Sequence, residues 1–276
     1  MKYIQAILRG IGQVMFQNNS YSGALFLIGI CYNSWLLGLA VLMSTVVSTG
    51  FAQFLRYSKE DIQNGLYGFN GTLSGIAIFC FFKPNITTVV ALFIGAALST
   101  VVMHFLKKAL PAFTAPFVLS TWAVMYSLVI VFNVPLMASL APVESSFNLF
   151  TAASNSFGQV MFQENMVTGL FFLLAILINN RLMAAYAIYA AVLGSIVGWF
   201  TEQASTVNAG LMGYNAILCA IALVGRKKSD FLWISIAIVL STWVNIGLGK
   251  TGIITLTAPF VIVTWGVLWV KKLVRA

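Results

Sequence analysis

Gln13 and Phe16 stand three residues apart, and Gln159 and Phe162 repeat the pair later in the chain. On a helix each pair shares one face, which sets an amide beside an aromatic ring. Phe69 and Leu73 are four apart, as are Tyr214 and Leu218, so the same rule sets each ring beside a leucine. Thr114 and Thr257 each precede a proline by two residues and add hydroxyls that both donate and accept. The prolines, lacking an N–H, also free carbonyls on the preceding turn. Together these groups make a slot with apolar walls and a few neutral hydrogen-bonding atoms. Such a slot suits a small, flat, uncharged amide whose faces lie between rings while its N–H groups reach glutamine, threonine or backbone oxygens. A hydrated ion would shed its shell against rings and leucines with only neutral oxygens in return, which is a large barrier. An N–H left without an acceptor costs about 1–3 kcal/mol, and selectivity over apolar solutes arises there.

The elements that must hold these groups are apolar segments with a polar, glycine-rich break. The stretch from Asn64 to Leu73 reads NGLYGFNGTL, and the stretch from Ala209 to Leu218 reads AGLMGYNAIL. In hydrocarbon such a break is tolerable only where backbone lines a cavity or is buried in protein. Matching breaks in two halves point to a substrate site at the repeat interface, so both stretches are expected to be half-helices of a pore. Gly65, Gly68, Gly210 and Gly213 are read as turn and close-approach positions, and Asn70 and Asn215 as caps or anchors rather than solute ligands.

The whole order repeats. GQVMFQ from Gly12 recurs from Gly158 at an offset of 146 (158 − 12), the glycine motif at 145 (210 − 65) and TAPF at 143 (257 − 114). Three motifs in one order at nearly constant offset make an internal duplication. The halves are expected at 1–133 and 156–276, joined by a linker at 134–155 rich in Pro, Ser and Asn. Within the first half, an amphipathic helix is expected over Tyr3–Gln17. A short apolar stretch follows over Tyr21–Tyr32, then spans over Trp35–Leu55, through the break to Phe82, over Thr87–Leu106, and from about Leu110 to Phe132. Five crossings per half, an odd number, force the second half to insert upside down. The expected fold is an all-α integral membrane protein of ten transmembrane helices, in two inverted five-helix repeats with two half-spanning pore helices. With both termini in the cytoplasm, only Lys83 and Lys250 of the 15 basic residues lie outside, as the positive-inside rule requires. The linker, with Glu144, is then extracellular or periplasmic.

Composition excludes the other large classes. The chain is 60% hydrophobic and 8% charged, whereas soluble domains are about a quarter charged. The net charge of +9 sits in short loops and reports topology, so no nucleic-acid partner is expected. Cys31, Cys80 and Cys219 have no CxxC spacing, which points to small buried residues and neither a disulfide framework nor a metal site. One histidine, His104, far from any glycine-flanked serine, gives no nucleophile–base arrangement, so no enzyme and no cofactor are expected. Asp61, Glu144, Glu202 and Asp230 fall in loops and Glu60 and Glu164 at segment ends. An ion- or proton-coupled secondary transporter remains the alternative, because a sodium site can be built from backbone and hydroxyl oxygens.

LPAFTAPF (Leu110–Phe117), together with GQVMFQ and the glycine motif in their order, resembles the signatures of the urea transporter family, bacterial members included. The resemblance covers nearly the whole chain. It implies passive, channel-like urea transport in a bacterial inner membrane by a homotrimer with one pore per protomer, each pore with outer, middle and inner sites. By position, Gln13, Phe16, Phe69, Gln159, Phe162 and Tyr214 would form the outer and inner sites, with Val14 and Val160 beside them. Leu73, Leu218, Thr114 and Thr257 would form the constricted middle. The chain departs from the pattern at three places. Ile254 replaces the first proline of the second signature, Gln159 stands where some bacterial members carry glutamate, and Tyr214 where phenylalanine is frequent.

Overall fold

The computed structural model describes residues 2–137 and 146–275, and among these it contains fourteen helices and no strand. Two compact units divide the chain, Met1–Leu140 and Ala141–Ala276. The first holds α1 (Lys2–Gln13), α2 (Ser20–Asn33), α3 (Trp35–Phe54), α4 (Lys59–Gln63), α5 (Gly68–Phe81), α6 (Ile86–Leu106) and α7 (Ala115–Ile130). The second holds α8 (Leu149–Gln159), α9 (Met166–Asn179), α10 (Arg181–Trp199), α11 (Ala204–Asn208), α12 (Tyr214–Ala222), α13 (Lys228–Lys250) and α14 (Ala258–Arg275). Helices α3, α6, α10 and α13 are long and apolar enough to cross a membrane, and α5, α7 and α9 are shorter apolar helices. This is a multi-pass membrane protein.

Polar caps set the helix boundaries. Asn19 accepts the Tyr21 N–H at the start of α2, and Asn85 and Thr88 form a reciprocal capping box on α6. Single polar residues make the sharp joints: Ser34 between α2 and α3, and Asn180 between α9 and α10, each capping the following helix. Such caps contribute about 0.5–2 kcal/mol each. Helix α8 begins at Leu149, inside the stretch expected to be a linker, because Asn148 accepts the Thr151 N–H there. Residues 138–145 of that linker, Glu144 among them, lie outside the described residues.

Two expected boundaries are corrected. Helix α1 ends at Gln13, not Gln17, because Phe16 takes φ of 60° and turns the chain. Helix α7 starts at Ala115, not near Leu110, because Phe113 takes φ of 46°. The cysteines were expected to be buried, but only Cys219 is, while Cys31 is exposed.

In the first unit α5 lies against α3 through glycines. A Cβ at Gly71 or Gly75 would fall 2.4 or 2.3 Å from the Cβ of Ser48 or Ser44. That approach lets hydroxyls bond across the crossing, as small residues allow in membrane helices: Thr45 Oγ1 and Thr72 Oγ1 are 2.6 Å apart, while Ser48 Oγ ties α3 to α6 through Thr100 Oγ1, also at 2.6 Å. In the second unit the buried Asp230 ties two helices together. It accepts the Lys227 N–H at 3.1 Å and the Lys271 ammonium at 3.0 Å. Asp230→Ala is expected to cost about 3–5 kcal/mol, because it leaves a largely buried ammonium without its counter-ion. The measurement is thermal melting in detergent, and an unchanged Tm would mean that the pair is ornamental.

Candidate functional site

The first unit gathers its three repeated motifs by hydrogen bonds. Gln13 Nε2 donates to the Asn64 carbonyl at 3.0 Å, which ties the end of α1 to the glycine-rich turn. Asn70, fully buried on α5, accepts the Phe117 N–H at 3.1 Å and donates to the Phe113 carbonyl at 3.4 Å. It therefore clamps the loop before α7 to the start of α5. The rings of Phe16 and Phe113 meet edge to face, 6.0 Å apart and at 65°.

The second unit repeats the frame with one exchange. Gln159 Nε2 donates to the Ala209 carbonyl at 2.9 Å, and Asn215 Oδ1 accepts the Phe260 N–H at 3.2 Å. The Leu256 carbonyl, 143 residues on from that of Phe113 (256 − 113), is held instead by the Tyr214 hydroxyl at 2.7 Å. The same hydroxyl lies 3.2 Å from Asn245 Oδ1 and 3.1 Å from Thr255 Oγ1. Asn215 Nδ2 is left buried with no hydrogen-bond partner. Tyr214 thus spends its hydroxyl on the frame of its own unit.

Each glutamine turns its nitrogen to a backbone carbonyl, because a carbonyl needs a donor. Its Oε1 is the atom that remains to accept. Both glutamines are partly exposed. Val14, Val160, Leu73, Leu218 and Thr114 are at most 1% exposed, Thr257 2%, Phe69 6% and Tyr214 8%. Phe69 and Leu73 lie within α5, and Tyr214 and Leu218 within α12, so each of these pairs does share a helix face.

Two readings of the spacing need correction. Gln13 and Phe16, like Gln159 and Phe162, do not share a helix face: each glutamine is the last helical residue, and each phenylalanine follows in the left-handed region at φ of 60° or 59°. A left-handed side chain costs roughly 1–2 kcal/mol, and the same turn recurs in both units. It is closed by Gln17 N–H to the Gly12 carbonyl and by Gln163 N–H to the Gly158 carbonyl, each 3.0 Å. This 6→1 closure normally takes glycine. Nor do the prolines free a carbonyl. Pro116 occupies the first turn of α7, where no N–H is required. The carbonyls four residues before the two prolines, those of Ala112 and Thr255, accept from the Ala115 and Ala258 N–H groups, each at 3.0 Å.

Sequence reasoning passed over Phe113, Leu256 and Asn245. Phe113 and Leu256 differ in type, so the repeat hid their common left-handed backbone. Asn245 lies on α13, away from every repeated motif, and its Nδ2 reaches the Leu211 carbonyl at 2.9 Å.

Burial pushes the Glu164 carboxyl, in the loop after the second turn, above the usual carboxylate range. An acid whose folded pKa is raised contributes stability below its unfolded pKa and loses it as pH rises through the folded one. Glu164→Gln is therefore expected to raise Tm at pH 7 relative to the parent and to change it little at pH 4. Equal shifts at both pH values would count against a cost of charge burial at this position.

A family model described as urea transporter matches residues 4–272. Urea transporter 1 of Rattus norvegicus is 31% identical over 248 residues, covering 82% of this chain and 64% of the relative. Urea transporter 1 of Mus musculus gives the same identity and coverage, and that of Ovis aries is 29% identical over 248 residues, with the same shares. The chain spans 64% of the length of these curated relatives.

Proposed function

Since the chain belongs to the urea transporter family, we propose that it conducts urea, and small amides like it, passively down their gradient. The observation that carries the proposal is the pair of glutamines, each anchored through nitrogen to a backbone carbonyl. That anchoring leaves an oxygen acceptor beside a strained phenylalanine turn in either unit. A urea N–H meets the oxygen, and its flat faces meet rings. Gln13, Val14, Phe16, Phe69, Leu73 and Thr114 are the lining of the first unit in this reading. Gln159, Val160, Phe162, Tyr214, Leu218 and Thr257 are that of the second. Dehydration of the solute is offset by protein oxygens, and a charged species receives no such exchange.

The duplication and the charge pattern support the finer architecture: ten crossings, five in each inverted repeat, with α5 and α12 half-spanning. Both termini are then cytoplasmic and Lys250 faces outside. The motif resemblance extends the reading to a homotrimer in a bacterial inner membrane, with one conduit per protomer. Native mass measurement in detergent tests the trimer, and a monomer of unimpaired activity would remove it.

The transport experiment is light-scattering flux of the purified protein in liposomes, across urea, formamide, acetamide, glycerol and sodium chloride. Urea flux is expected to follow its own gradient and to be indifferent to sodium, pH and voltage. Flux that demands a sodium or proton gradient would replace the passive reading with coupled transport. Thr114→Val keeps shape and removes a hydroxyl, so it is expected to lower urea flux about tenfold, equivalent to a loss of roughly 1.4 kcal/mol. Its elution profile should be unchanged, and undiminished flux would remove Thr114 from the lining.

A further inference from the structure

The two units differ at the helix end marked by Lys107 in the first and by Lys250, 143 residues on (250 − 107), in the second. In the first unit this place is filled. The Tyr57 ring stacks on His104 at 3.8 Å and lies 5.2 Å from Tyr67, and the Tyr67 hydroxyl is 3.2 Å from His104 Nδ1. Lys107 is in direct contact with Asp61 and stands 4.9 Å above the Tyr67 ring. At the corresponding offsets the second unit has Glu202 for Tyr57, Met212 for Tyr67, Gly247 for His104 and Thr206 for Asp61. Three rings are lost, and the lysine is kept.

What remains is a cavity of about 420 Å³, lined among others by Glu202, Thr206, Met212, Tyr214, Asn245 and Lys250. That volume lies within the roughly 300–1,000 Å³ of small-molecule sites. The lysine has a new carboxylate partner, but the Lys250 and Glu202 charges stand 3.9 Å apart rather than in contact. An ammonium and a carboxylate held loosely over apolar side chains offer one donor and one strong acceptor. Thr206 and Thr255, on the same wall, add hydroxyls. This is the complement of an amide: the carbonyl accepts from Lys250, and the N–H groups donate to Glu202 and the threonines. A simple ion satisfies one of the two charges and sets itself against the other.

We propose that this cavity is a second solute site, an antechamber for urea-like amides in the second unit that adjoins the duplicated lining at Tyr214. It rests on the reading of the chain as a conductor of amides, which places Lys250 at the outer face. Its occupant shares the cavity wall with Tyr214, whose hydroxyl holds Leu256 just before Thr257. The antechamber therefore collects solute beside the frame of the second unit. In the first unit the corresponding place is filled by the rings of Tyr57, Tyr67 and His104.

The test uses the full chain in nanodiscs carrying Ile253→Cys, a substitution on the cavity wall, with maleimide labelling read at that peptide by mass spectrometry. Urea at twice its dissociation constant is expected to slow labelling about threefold, with glycerol, which lacks the amide, giving no protection. Glu202→Gln and Lys250→Met, each eluting as the parent does, are each expected to abolish the protection. No protection by urea, or protection that persists in both variants, overturns the site. Liposome flux runs in parallel: urea flux without protection sinks the antechamber alone, and protection without flux sinks passive transport and leaves the site.

Discussion

Gly210→Ala is expected to yield little or no monodisperse protein, and Gly65→Ala the same. Both glycines have positive φ, 84° and 74°, and both open the turn that leads into a half-length helix. Leaving glycine at such a φ costs roughly 1–2 kcal/mol by itself. The larger effect is steric. A Cβ at Gly210 would lie 2.4 Å from both the Asn155 carbonyl carbon and the Ser156 nitrogen, and one at Gly65 would lie 2.3 Å from the Gly10 nitrogen. These neighbours are helical backbone of α8 and α1, so no side-chain rotation relieves the contact. Overpacking of this kind adds about 1–3 kcal/mol, for a sum of about 2–5 kcal/mol against a typical total of about 5–15.

The comparison that isolates the cause is Gly249→Ala, whose Cβ meets nothing within 4 Å. Within α13 that change is expected to be neutral, or to stabilise by up to about 1 kcal/mol through helix propensity. Size-exclusion yield and Tm in detergent read all three. A Gly210→Ala protein that melts with the parent would falsify the close approach of the glycine turn to α8.

Asn70→Leu is expected to be the most damaging single substitution for flux among the framework residues. Leucine has the branching and heavy-atom count of asparagine with bulkier terminal groups, so the variant leaves no cavity. What it removes is the acceptor of the Phe117 N–H and the donor to the Phe113 carbonyl. Buried polar groups deprived of a partner cost about 1–3 kcal/mol each. The loop so released is the one that carries Thr114 and the left-handed Phe113 against Phe16. Urea flux per folded protein is expected to fall at least about tenfold, the equivalent of roughly 1.4 kcal/mol in positioning.

Asn215→Leu provides the internal control. It loses the bond from Phe260 N–H, but the Leu256 carbonyl stays with Tyr214, and the Asn215 nitrogen had no partner to lose. It is expected to be milder than Asn70→Leu by about 1 kcal/mol. Equal losses in the two variants would mean that the Tyr214 hydroxyl has not taken over the clamp.

The residues that sequence reasoning misjudged share one physical feature. A spacing rule presumes that the chain stays in one helix across the spacing. It does so from Phe69 to Leu73 and from Tyr214 to Leu218, both inside helices, and the shared face follows. It fails from Gln13 to Phe16 because the backbone crosses into the left-handed region between them. Nothing local announces that crossing, since phenylalanine is a poor choice for it. The Gly12 carbonyl and the Gln17 amide that close the turn act only once the chain has reversed. The Tyr57–His104–Tyr67 stack was equally hidden, since its members come from three separate segments.

Sequence alone determined that the chain lies in a membrane, because apolar side chains in such proportion have no aqueous fold open to them. It also determined the duplicated order of motifs, because a repeat is a property of the letters. Tertiary structure decided how the motifs are joined: which carbonyl each glutamine takes, that Tyr214 displaces Asn215 from Leu256, and that three missing rings leave a charged cavity in one unit. Hydrogen-bond partners far apart in the chain are chosen by geometry and by competition among donors, and neither exists until the helices have packed.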